Sequence, residues 1–434
     1  MSLDRRQLLV RTGIALGLGA GVVGGGVMAR ERRSGSDEPA NAPVESGPAV
    51  DDWQAVRDQF ALSRDFLHFG GLYIASHPAP VQQAIEAHRR GMDENPVFYL
   101  QDNGGRLEAN VLRAAAAYLN AGATDIALTD STTMGLGLLY NGLDLDDGDE
   151  ALTTHHDFFA THEALRLKAS RSGAVVRTVP LYQDIAQVTE DEIVTSLIRS
   201  VTPRTRVVAV TYVHSSTGLK LPIRRIADEM ARLNADREEP DRALLCVDGV
   251  HGLGVEDFTM ASLGCDFFVA GCHKWLFGPR GTGLVWGKPS AWERMSPTIP
   301  SFSGGDAPGA VATPGGFHSF EHRWALAEAF HFHQQVGRPR ITQRIHALNR
   351  QLKEELATMP HVSLYTPLDE NLSAGLVCFD VDDLSPRAVV QRLRDQQIVA
   401  TTTPYTPAYA RLAAGLLNSR EEVDQVLREV RALA

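Results

Sequence analysis

Between residues 125 and 286, strand-length apolar runs alternate with helical stretches, and most of the runs end in polar side chains. Runs of this length and composition are typical of buried strands, and the stretches between them have the periodicity of helices. The alternation predicts an α/β fold with a mostly parallel sheet, helices on both faces, and ligands at the carboxyl ends of the strands. The predicted strands are 125–129, 150–154, 175–180, 205–213, 243–247, 266–270 and 284–286.

The chain divides into segments of different composition. Residues 51–315 contain the alternating pattern and are predicted to form an N-terminal segment and a large domain. Residues 316–434 combine further helices and strands, which predicts a smaller C-terminal α/β domain. Within the large domain, the Asn-Pro pair at 95–96 predicts a loop over 95–99. Residues 30–50 are rich in Ser, Glu, Pro and Ala and are predicted to be a disordered linker.

The N-terminus has the features of an export signal. Arg5 and Arg6 precede a weakly apolar, glycine-rich segment, and Val27-Met28-Ala29 is a small-residue cleavage candidate. This arrangement resembles a twin-arginine signal, so we expect a signal peptide at 1–29 and periplasmic export by the twin-arginine machinery. An uncleaved anchor or an ordinary apolar tail is the alternative. No other stretch is long and apolar enough to span a bilayer, so no stable membrane span is expected in the mature form.

Composition argues against several classes of function. Fifty-three acidic against 42 basic residues give a formal charge of -11, which repels the phosphate backbone of nucleic acids. Four cysteines contain no Cys-x-x-Cys pair, so neither a zinc site nor a disulfide scaffold is indicated. The adjacent His155 and His156 would point to opposite faces of an extended chain, and no metal site is predicted.

Two residues near the centre of the alternating pattern indicate a specific chemistry. Asp248 ends one apolar run, and Lys274, one of only five lysines, follows another in a glycine-flanked stretch. A desolvated lysine has a lowered pKa and can form a Schiff base. A carboxylate at a neighbouring strand end could hold a pyridinium nitrogen protonated. The pair therefore predicts pyridoxal 5'-phosphate (PLP) as the cofactor.

Other strand ends carry polar side chains that would surround the same pocket. Ser131, Thr132 and Thr133 are predicted to begin a helix, whose N-terminus is a ready phosphate-binding site; a simple N-cap is the alternative. His156 follows the next strand and could stack on a flat ring. Ser215 follows strand 205–213. All of these ends are expected at one edge of the sheet.

Together, these residues resemble the class V aminotransferase family of fold-type I PLP-dependent transferases. The most specific likenesses are Asp248-x-x-His251, the triplet His273-Lys274-Trp275 and the Gly-Pro-Arg-Gly-Thr-Gly turn at 278–283. The spacing between the aspartate and the lysine (274 − 248 = 26) also suits the family. The triplet with its turn is most similar to the isopenicillin N epimerase-like branch.

The resemblance implies roles for individual residues. Lys274 would hold PLP covalently and act as the base at the substrate Cα, and Asp248 would pair with the pyridinium nitrogen. The resemblance further implies that His156 stacks on the ring and that Ser131, Thr132 or Thr133 binds the phosphate. It places Ser215 and His251 near the phenolic oxygen and His273 in the cofactor site. It also implies that Arg411 receives a substrate carboxylate.

The sequence departs from the family at two places: at Gly271, and at residues 319–323, where relatives usually carry a Gly-Thr pair. Gly271 stands where many relatives have a phosphate-binding serine, so phosphate binding would rely on the Ser131 region or on Arg323 and its neighbours from a second subunit. A homodimer is what the family implies. Cysteine desulfurases need a nucleophilic cysteine on a C-terminal loop; Cys378 lies in an apolar strand, and residues 398–405 contain none.

These features predict an exported PLP enzyme that acts at Cα of an amino acid, or of an amino-acid residue in a peptide-like natural product. The reaction would be epimerisation, transamination or oxidative deamination. Export combined with this domain resembles the layout of periplasmic PLP enzymes of siderophore maturation, such as that of pyoverdine. The alternative is a PLP-dependent C–S lyase or desulfurase-like enzyme. A non-catalytic PLP-fold protein is opposed by the presence of Lys274.

Overall fold

The computed structural model describes residues 52–303 and 305–434, so the predicted signal peptide at 1–29 and linker at 30–50 lie outside the described residues. The strands are β1 (Leu67–His68), β2 (Ile126–Thr129), β3 (Glu150–Thr154), β4 (Val175–Val179), β5 (Thr205–Thr211), β6 (Leu244–Asp248), β7 (Phe267–Gly271), β8 (Gly283–Gly287), β9 (Val362–Leu364), β10 (Val377–Val381), β11 (Ile398–Val399), β12 (Thr401–Thr402) and β13 (Ala410–Leu412). The α-helices are α1 (Trp53–Asp58), α2 (Ala79–Glu94), α3 (Pro96–Leu119), α4 (Thr132–Gly142), α5 (Phe159–Ser172), α6 (Glu190–Arg199), α7 (Ile223–Ala235), α8 (Met260–Leu263), α9 (Pro289–Trp292), α10 (Pro308–Ala312), α11 (Phe320–Val336), α12 (Arg338–Leu356), α13 (Pro386–Asp395) and α14 (Arg420–Arg431).

The central sheet has seven strands in the order β2-β8-β7-β6-β5-β3-β4. Neighbouring strands from β7 to β4 are parallel, whereas β8 runs antiparallel to both β7 and β2. Because β2 and β7 both oppose β8, all strands except β8 point the same way. Their carboxyl ends meet at one edge of the sheet, which confirms the predicted α/β architecture and fixes where a ligand site can form.

Both faces of this sheet are buried, as β6 illustrates. Leu245 and Val247 belong to one apolar core, and Leu244 and Cys246 belong to the core on the other face. Side chains alternate between the faces of a strand, so a strand covered on both sides is apolar throughout. Helix α7 contributes to the first core and helix α5 to the second. The continuous apolar runs in the sequence result from this double cover.

The predicted loop at 95–99 is wrong, because Pro96 to Tyr99 form the first turn of α3. The Asn95 side chain accepts a hydrogen bond from the amide of Phe98, and Pro96 occupies the first helical position. Asparagine is a favoured N-cap, and proline at that position needs no intrahelical donor. The Asn-Pro pair therefore starts the helix instead of interrupting the chain between two helices.

Residues 362–412 contain a second, antiparallel sheet in the order β12-β13-β10-β9. Its apolar face packs on helices α12 and α14 in a separate core. In β13, Arg411 lies opposite Cys378 on one side and Thr401 on the other. Among residues 52–303 and 305–434, none of the helices combines the length and hydropathy that a membrane-spanning segment needs.

Candidate active site

The predicted phosphate-binding residues open helix α4, directly after β2. Ser131 is the N-cap, and its Oγ accepts a hydrogen bond from the amide of Met134 at 3.1 Å. The amides of Thr132 and Thr133 begin the helix and therefore have no intrahelical acceptor. Ser131, Thr132 and Thr133 all line a cavity at the carboxyl edge of the sheet. The N-cap alternative and the binding hypothesis are thus compatible, since the cap orients the helix end that faces the cavity.

Thr132 also connects this helix end to β7. Its Oγ1 accepts a hydrogen bond from the amide of Gly271 at 2.8 Å. A Cβ atom on Gly271 would lie 2.9 Å from that oxygen, which is closer than side-chain atoms ordinarily pack. A side chain at position 271 would therefore crowd the Thr132 hydroxyl, and glycine avoids this contact.

Asp248 lies in the same cavity at the end of β6, with 2% of its surface exposed. One carboxylate oxygen, Oδ1, accepts from the amide of Val250 at 3.1 Å. Burial raises the pKa of Asp248 to about 6, while the hydrogen bond from Val250 and the nearby charge of Lys274 oppose that rise. A cationic partner in the cavity would favour the ionised carboxylate.

Lys274 reaches the cavity from the loop after β7. The side chain is half-buried, and desolvation lowers the pKa of Lys274 to about 8. Asp248 opposes this shift and Arg411 adds to it. A lysine with such a pKa has a substantial fraction of free amine near neutral pH, as a nucleophile requires.

His251 and Trp275 lie against the lysine. The Nε2 atom of His251 is 3.4 Å from Nζ of Lys274, and the indole N–H of Trp275 donates to Nδ1 of His251 at 3.2 Å. Burial lowers the pKa of His251 well below its usual value, so this imidazole is neutral. Sequence reasoning included Trp275 in the motif but assigned it no role; its position directly after the lysine was the available signal.

His156 does not line the cavity around Lys274, which is bounded on that side by Phe158. Its ring stacks on Tyr182 with 4.3 Å between centroids, and the Tyr182 hydroxyl lies 3.3 Å from Nδ1. Burial, with a further contribution from His214, lowers the pKa of His156 to about 3. A neutral imidazole suits ring stacking better than proton donation. Tyr182 was missed, because no local pattern links it to His156.

Arg411 forms a hydrogen bond with Ser215, one of the residues that line the cavity. Its Nη1 donates to the Ser215 carbonyl at 2.8 Å, and its Nε donates to Oγ1 of Thr401 at 3.0 Å. The Ser215 hydroxyl, which lines the cavity, lies 2.8 Å from the hydroxyl of Tyr405. Sequence reasoning missed Tyr405, whose only signal was a Thr- and Pro-rich loop shortly before Arg411.

The structure therefore brings most of the predicted residues together. His156 and Arg411 are not among the residues that line the cavity, although Arg411 is near enough for its charge to lower the pKa of Lys274. The eight that line it are Ser131, Thr132, Thr133, Ser215, Asp248, His251, His273 and Lys274. A wider surface groove at the opposite edge of the sheet contains two cationic side chains, and both are already paired. Lys288 binds Asp266 at 3.0 Å, and Arg224 binds Asp228.

The donor set of the cavity fits PLP. A helix N-terminus with hydroxyl groups suits a phosphate, a buried carboxylate suits a protonated ring nitrogen, and an amine with a lowered pKa suits an aldehyde. Two buried polar atoms in the cavity wall, Oγ1 of Thr211 and Nδ1 of His273, have no hydrogen-bond partner among the described residues. Such atoms are expected where a polar ligand completes the site.

Comparison with known proteins identifies a family of PLP enzymes, and the match extends over nearly the whole described chain. The family model described as aminotransferase class-V matches residues 78–426. Isopenicillin N epimerase from Streptomyces clavuligerus is 25% identical over 89% of this chain and 99% of its own length. A cysteine desulfurase from Klebsiella pneumoniae is 26% identical over 74% of this chain and 81% of its own.

Solved structures of the protein C-DES have the same fold. One holds a variant with glycine covalently linked to the PLP cofactor; it has a TM-score of 0.78 and 25% identity, covering 86% of this chain and 98% of that chain. Another, described as a complex of the cystine C–S lyase C-DES with cysteine persulfide, has a TM-score of 0.77 and 25% identity, covering 85% and 98%.

Proposed function

We propose, because this chain belongs to the class V aminotransferase family of PLP-dependent enzymes, that it acts at Cα of an amino acid or of an amino-acid residue in a peptide-like natural product. The reaction is epimerisation, transamination or oxidative deamination. One observation carries the proposal: the Lys274 amine, with its pKa lowered to about 8, shares a cavity with the buried carboxylate of Asp248.

Bound PLP supplies an electron sink that stabilises negative charge at the substrate Cα. Lys274 Nζ holds the cofactor and then moves a proton at that carbon. The Asp248 carboxylate keeps the ring nitrogen protonated, and the N-terminus of α4 binds the phosphate. Arg411 orients the substrate through its carboxylate, because a guanidinium forms paired hydrogen bonds with that group.

Proton exchange at Cα tests this proposal. The holoenzyme is incubated in D2O with single amino acids and with short peptides, and the Cα proton signal is monitored by NMR. Exchange into a substrate, with or without inversion or keto-acid formation, is expected and would require Lys274. Absence of exchange in every candidate, together with cleavage of a different bond, would contradict the proposal.

A C–S lyase is the second candidate, supported by the likeness to a cystine C–S lyase. A desulfurase that uses a cysteine nucleophile is less well supported, because all four cysteines are buried. Burial raises the pKa of Cys265 and of Cys378 to about 12, so neither supplies a thiolate near neutral pH. Release of cysteine persulfide together with pyruvate and ammonia from cystine would favour the lyase, whose β-elimination also begins with loss of the Cα proton, over epimerisation, transamination or oxidative deamination.

We also propose that the chain is exported by the twin-arginine route, which points to a specialised substrate such as a siderophore precursor. Support comes from the sequence alone, namely Arg5, Arg6 and the apolar segment after them. The expected product is a periplasmic chain without residues 1–29. Substitution of both arginines by lysine should retain the protein in the cytoplasm. Unchanged export of the double variant would contradict this route.

A homodimer is proposed as the working form. Phe98, Phe302 and Phe317 are 62%, 65% and 84% exposed, and the last two lie 6.3 Å apart between ring centroids. Exposed aromatic side chains of this kind are frequent at protein interfaces. Light scattering should give the mass of two chains, and Phe317→Asp should shift it towards one. Leu368→Asp, at a position 54% exposed, is the control; a monomeric wild-type protein would contradict the proposal.

A further inference from the structure

We infer that Trp275 is a positioning residue that fixes the tautomer of His251, so that the imidazole presents its Nε2–H to the amine of Lys274. The tautomer itself depends on the protein alone. Its consequence for cofactor attachment rests on the proposed function.

The hydrogen bond between Trp275 and His251 has only one possible direction. An indole N–H can donate but cannot accept. At 3.2 Å from the indole nitrogen, Nδ1 of His251 must therefore be the acceptor and carry a lone pair. Trp275 and His251 are 4% and 5% exposed, so water does not readily replace either partner.

The imidazole of His251 is uncharged. Desolvation lowers the pKa of His251 well below its usual value, and the nearby positive charges of Lys274 and Arg411 act in the same direction. A neutral imidazole carries one proton. Since Nδ1 is the acceptor, that proton lies on Nε2, the atom 3.4 Å from Nζ of Lys274.

This proton position acts on the amine of Lys274. The neutral amine of Lys274 has a lone pair that can accept a hydrogen bond from Nε2–H. The ammonium form has no lone pair, so its N–H groups would point at the N–H of His251 and no hydrogen bond could form. The tautomer therefore favours the free amine, in addition to the effect of desolvation. The other tautomer would present a lone pair and stabilise the ammonium form instead. Trp275 thus acts on Lys274 through His251.

The indole is held firmly enough to perform this role. A Cβ atom on Gly375, in the chain just before β10, would lie 2.9 Å from the indole carbon Cη2. A glycine at this point is what allows the backbone to pack directly against the ring. The C-terminal part of the chain thereby holds the indole of Trp275 in place, and the indole N–H determines the tautomer of His251.

The groups that set the charge of Lys274 remain in place when only the indole donor is removed. The charged and titratable neighbours of the amine are Asp248, Arg411, His251 and the adjacent His273. Trp275→Phe changes none of them and keeps an aromatic ring. A shift in the behaviour of Lys274 in this variant therefore reports on the tautomer of His251.

The direct test is the protonation pattern of His251 in the full-length protein. Two-bond 1H–15N spectra of histidine-labelled protein distinguish the two neutral tautomers, and His251→Gln identifies the His251 signals among the 15 histidines. The wild-type protein should show the Nε2–H form, and Trp275→Phe should populate the Nδ1–H form. An Nδ1–H or charged His251 in the wild-type protein, or an unchanged tautomer in the variant, would overturn the inference.

The matched control is Trp292→Phe. Trp292 is also buried, and its indole N–H also donates a hydrogen bond, but to the carbonyl of Asp125, away from the cavity. This substitution should leave the His251 signals unchanged. If Trp275→Phe does not fold, the wild-type spectrum still tests the proton position, because an Nδ1–H or charged His251 would overturn the inference.

A second readout is the attachment of PLP to cofactor-free protein, measured by absorbance as a function of pH. The midpoint of attachment should rise by roughly half a pH unit to one unit in Trp275→Phe and stay constant in Trp292→Phe. A constant midpoint in both variants would overturn the effect on Lys274. If PLP does not attach to the wild-type protein at all, the proposed function fails, whereas the spectra still test the tautomer.

Discussion

The amide of Gly271 donates a hydrogen bond to Oγ1 of Thr132 at 2.8 Å, which joins the end of β7 to the first residue of α4. This contact couples the strand that leads to Lys274 with the helix end proposed to bind phosphate. The threonine hydroxyl also occupies space that a serine side chain at 271 would need.

Placing a serine at position 271 should therefore weaken cofactor binding. In Gly271→Ser, the new Cβ would lie 2.9 Å from Oγ1 of Thr132 and displace it. We expect the dissociation constant for PLP to rise by roughly 10-fold, measured by titrating cofactor-free protein, since one misplaced hydrogen-bonding group costs on the order of 1 kcal/mol. Gly137→Ala, in the same helix but with open space around it, is the control. Equal affinity for PLP in both variants would refute this explanation.

Asp248→Asn should stabilise the cofactor-free protein at pH 8 while impairing the holoenzyme. The pKa of Asp248 is raised to about 6, so its favourable contribution to folding is present below about pH 4 and is lost as the pH rises through 6. The ionised carboxylate then costs up to about 3 kcal/mol at pH 8 and roughly half of that at pH 5.

Urea unfolding of the cofactor-free proteins at these two pH values measures this difference. The variant should gain stability mainly at pH 8 and should bind PLP more weakly, because the ring nitrogen loses its carboxylate partner. A variant that is less stable than the wild-type protein at pH 8 would show that burial of the ionised carboxylate does not destabilise the folded protein.

The pH dependence of PLP attachment should track the free amine of Lys274. Desolvation lowers the pKa of Lys274 to about 8, so attachment should accelerate as the pH rises towards 8 and level off above it. Stopped-flow absorbance of cofactor-free protein mixed with PLP gives this profile. A midpoint near 10, the value of an ordinary lysine, would contradict the assigned environment.

Arg411→Met should raise the KM for a carboxylate substrate by roughly 10- to 100-fold, as expected for the loss of charge-assisted hydrogen bonds. Steady-state kinetics should show a smaller change in kcat. Arg411→Lys keeps the charge but loses the planar fork, so it should recover only part of the affinity. An unchanged KM in the methionine variant would exclude Arg411 from substrate binding.

The sequence alone predicts the parts of the site that depend on local pattern. Apolar runs covered on both faces reveal the strands, and their polar ends reveal Asp248, Lys274 and Ser131. Contacts between distant segments cannot be predicted in this way. Ser215 meets Tyr405 across 190 residues of chain, and the stacking partner of His156 comes from a loop with no signal of its own.

The difference between local pattern and tertiary contacts also explains the wrong prediction at residues 95–99. Asn95 and Pro96 are typical of turns, but they are equally suited to begin a helix, and the packing of α3 against α11 decides between the two. Local chemistry predicts that a boundary exists there, whereas the tertiary contacts determine that a helix begins at it.

Two lysines of this chain have a pKa lowered to about 8, and they allow a selective test of the proposed cofactor attachment. Lys353 is buried and donates to the carbonyls of Pro367 and Leu368, whereas Lys274 faces the cavity. Borohydride reduction of the holoenzyme, combined with mass-spectrometric peptide mapping, locates the covalently held cofactor. We predict that all of it lies on the peptide containing Lys274 and that Lys274→Ala has none; cofactor on another lysine, or reducible cofactor retained in Lys274→Ala, would contradict the assignment of Lys274.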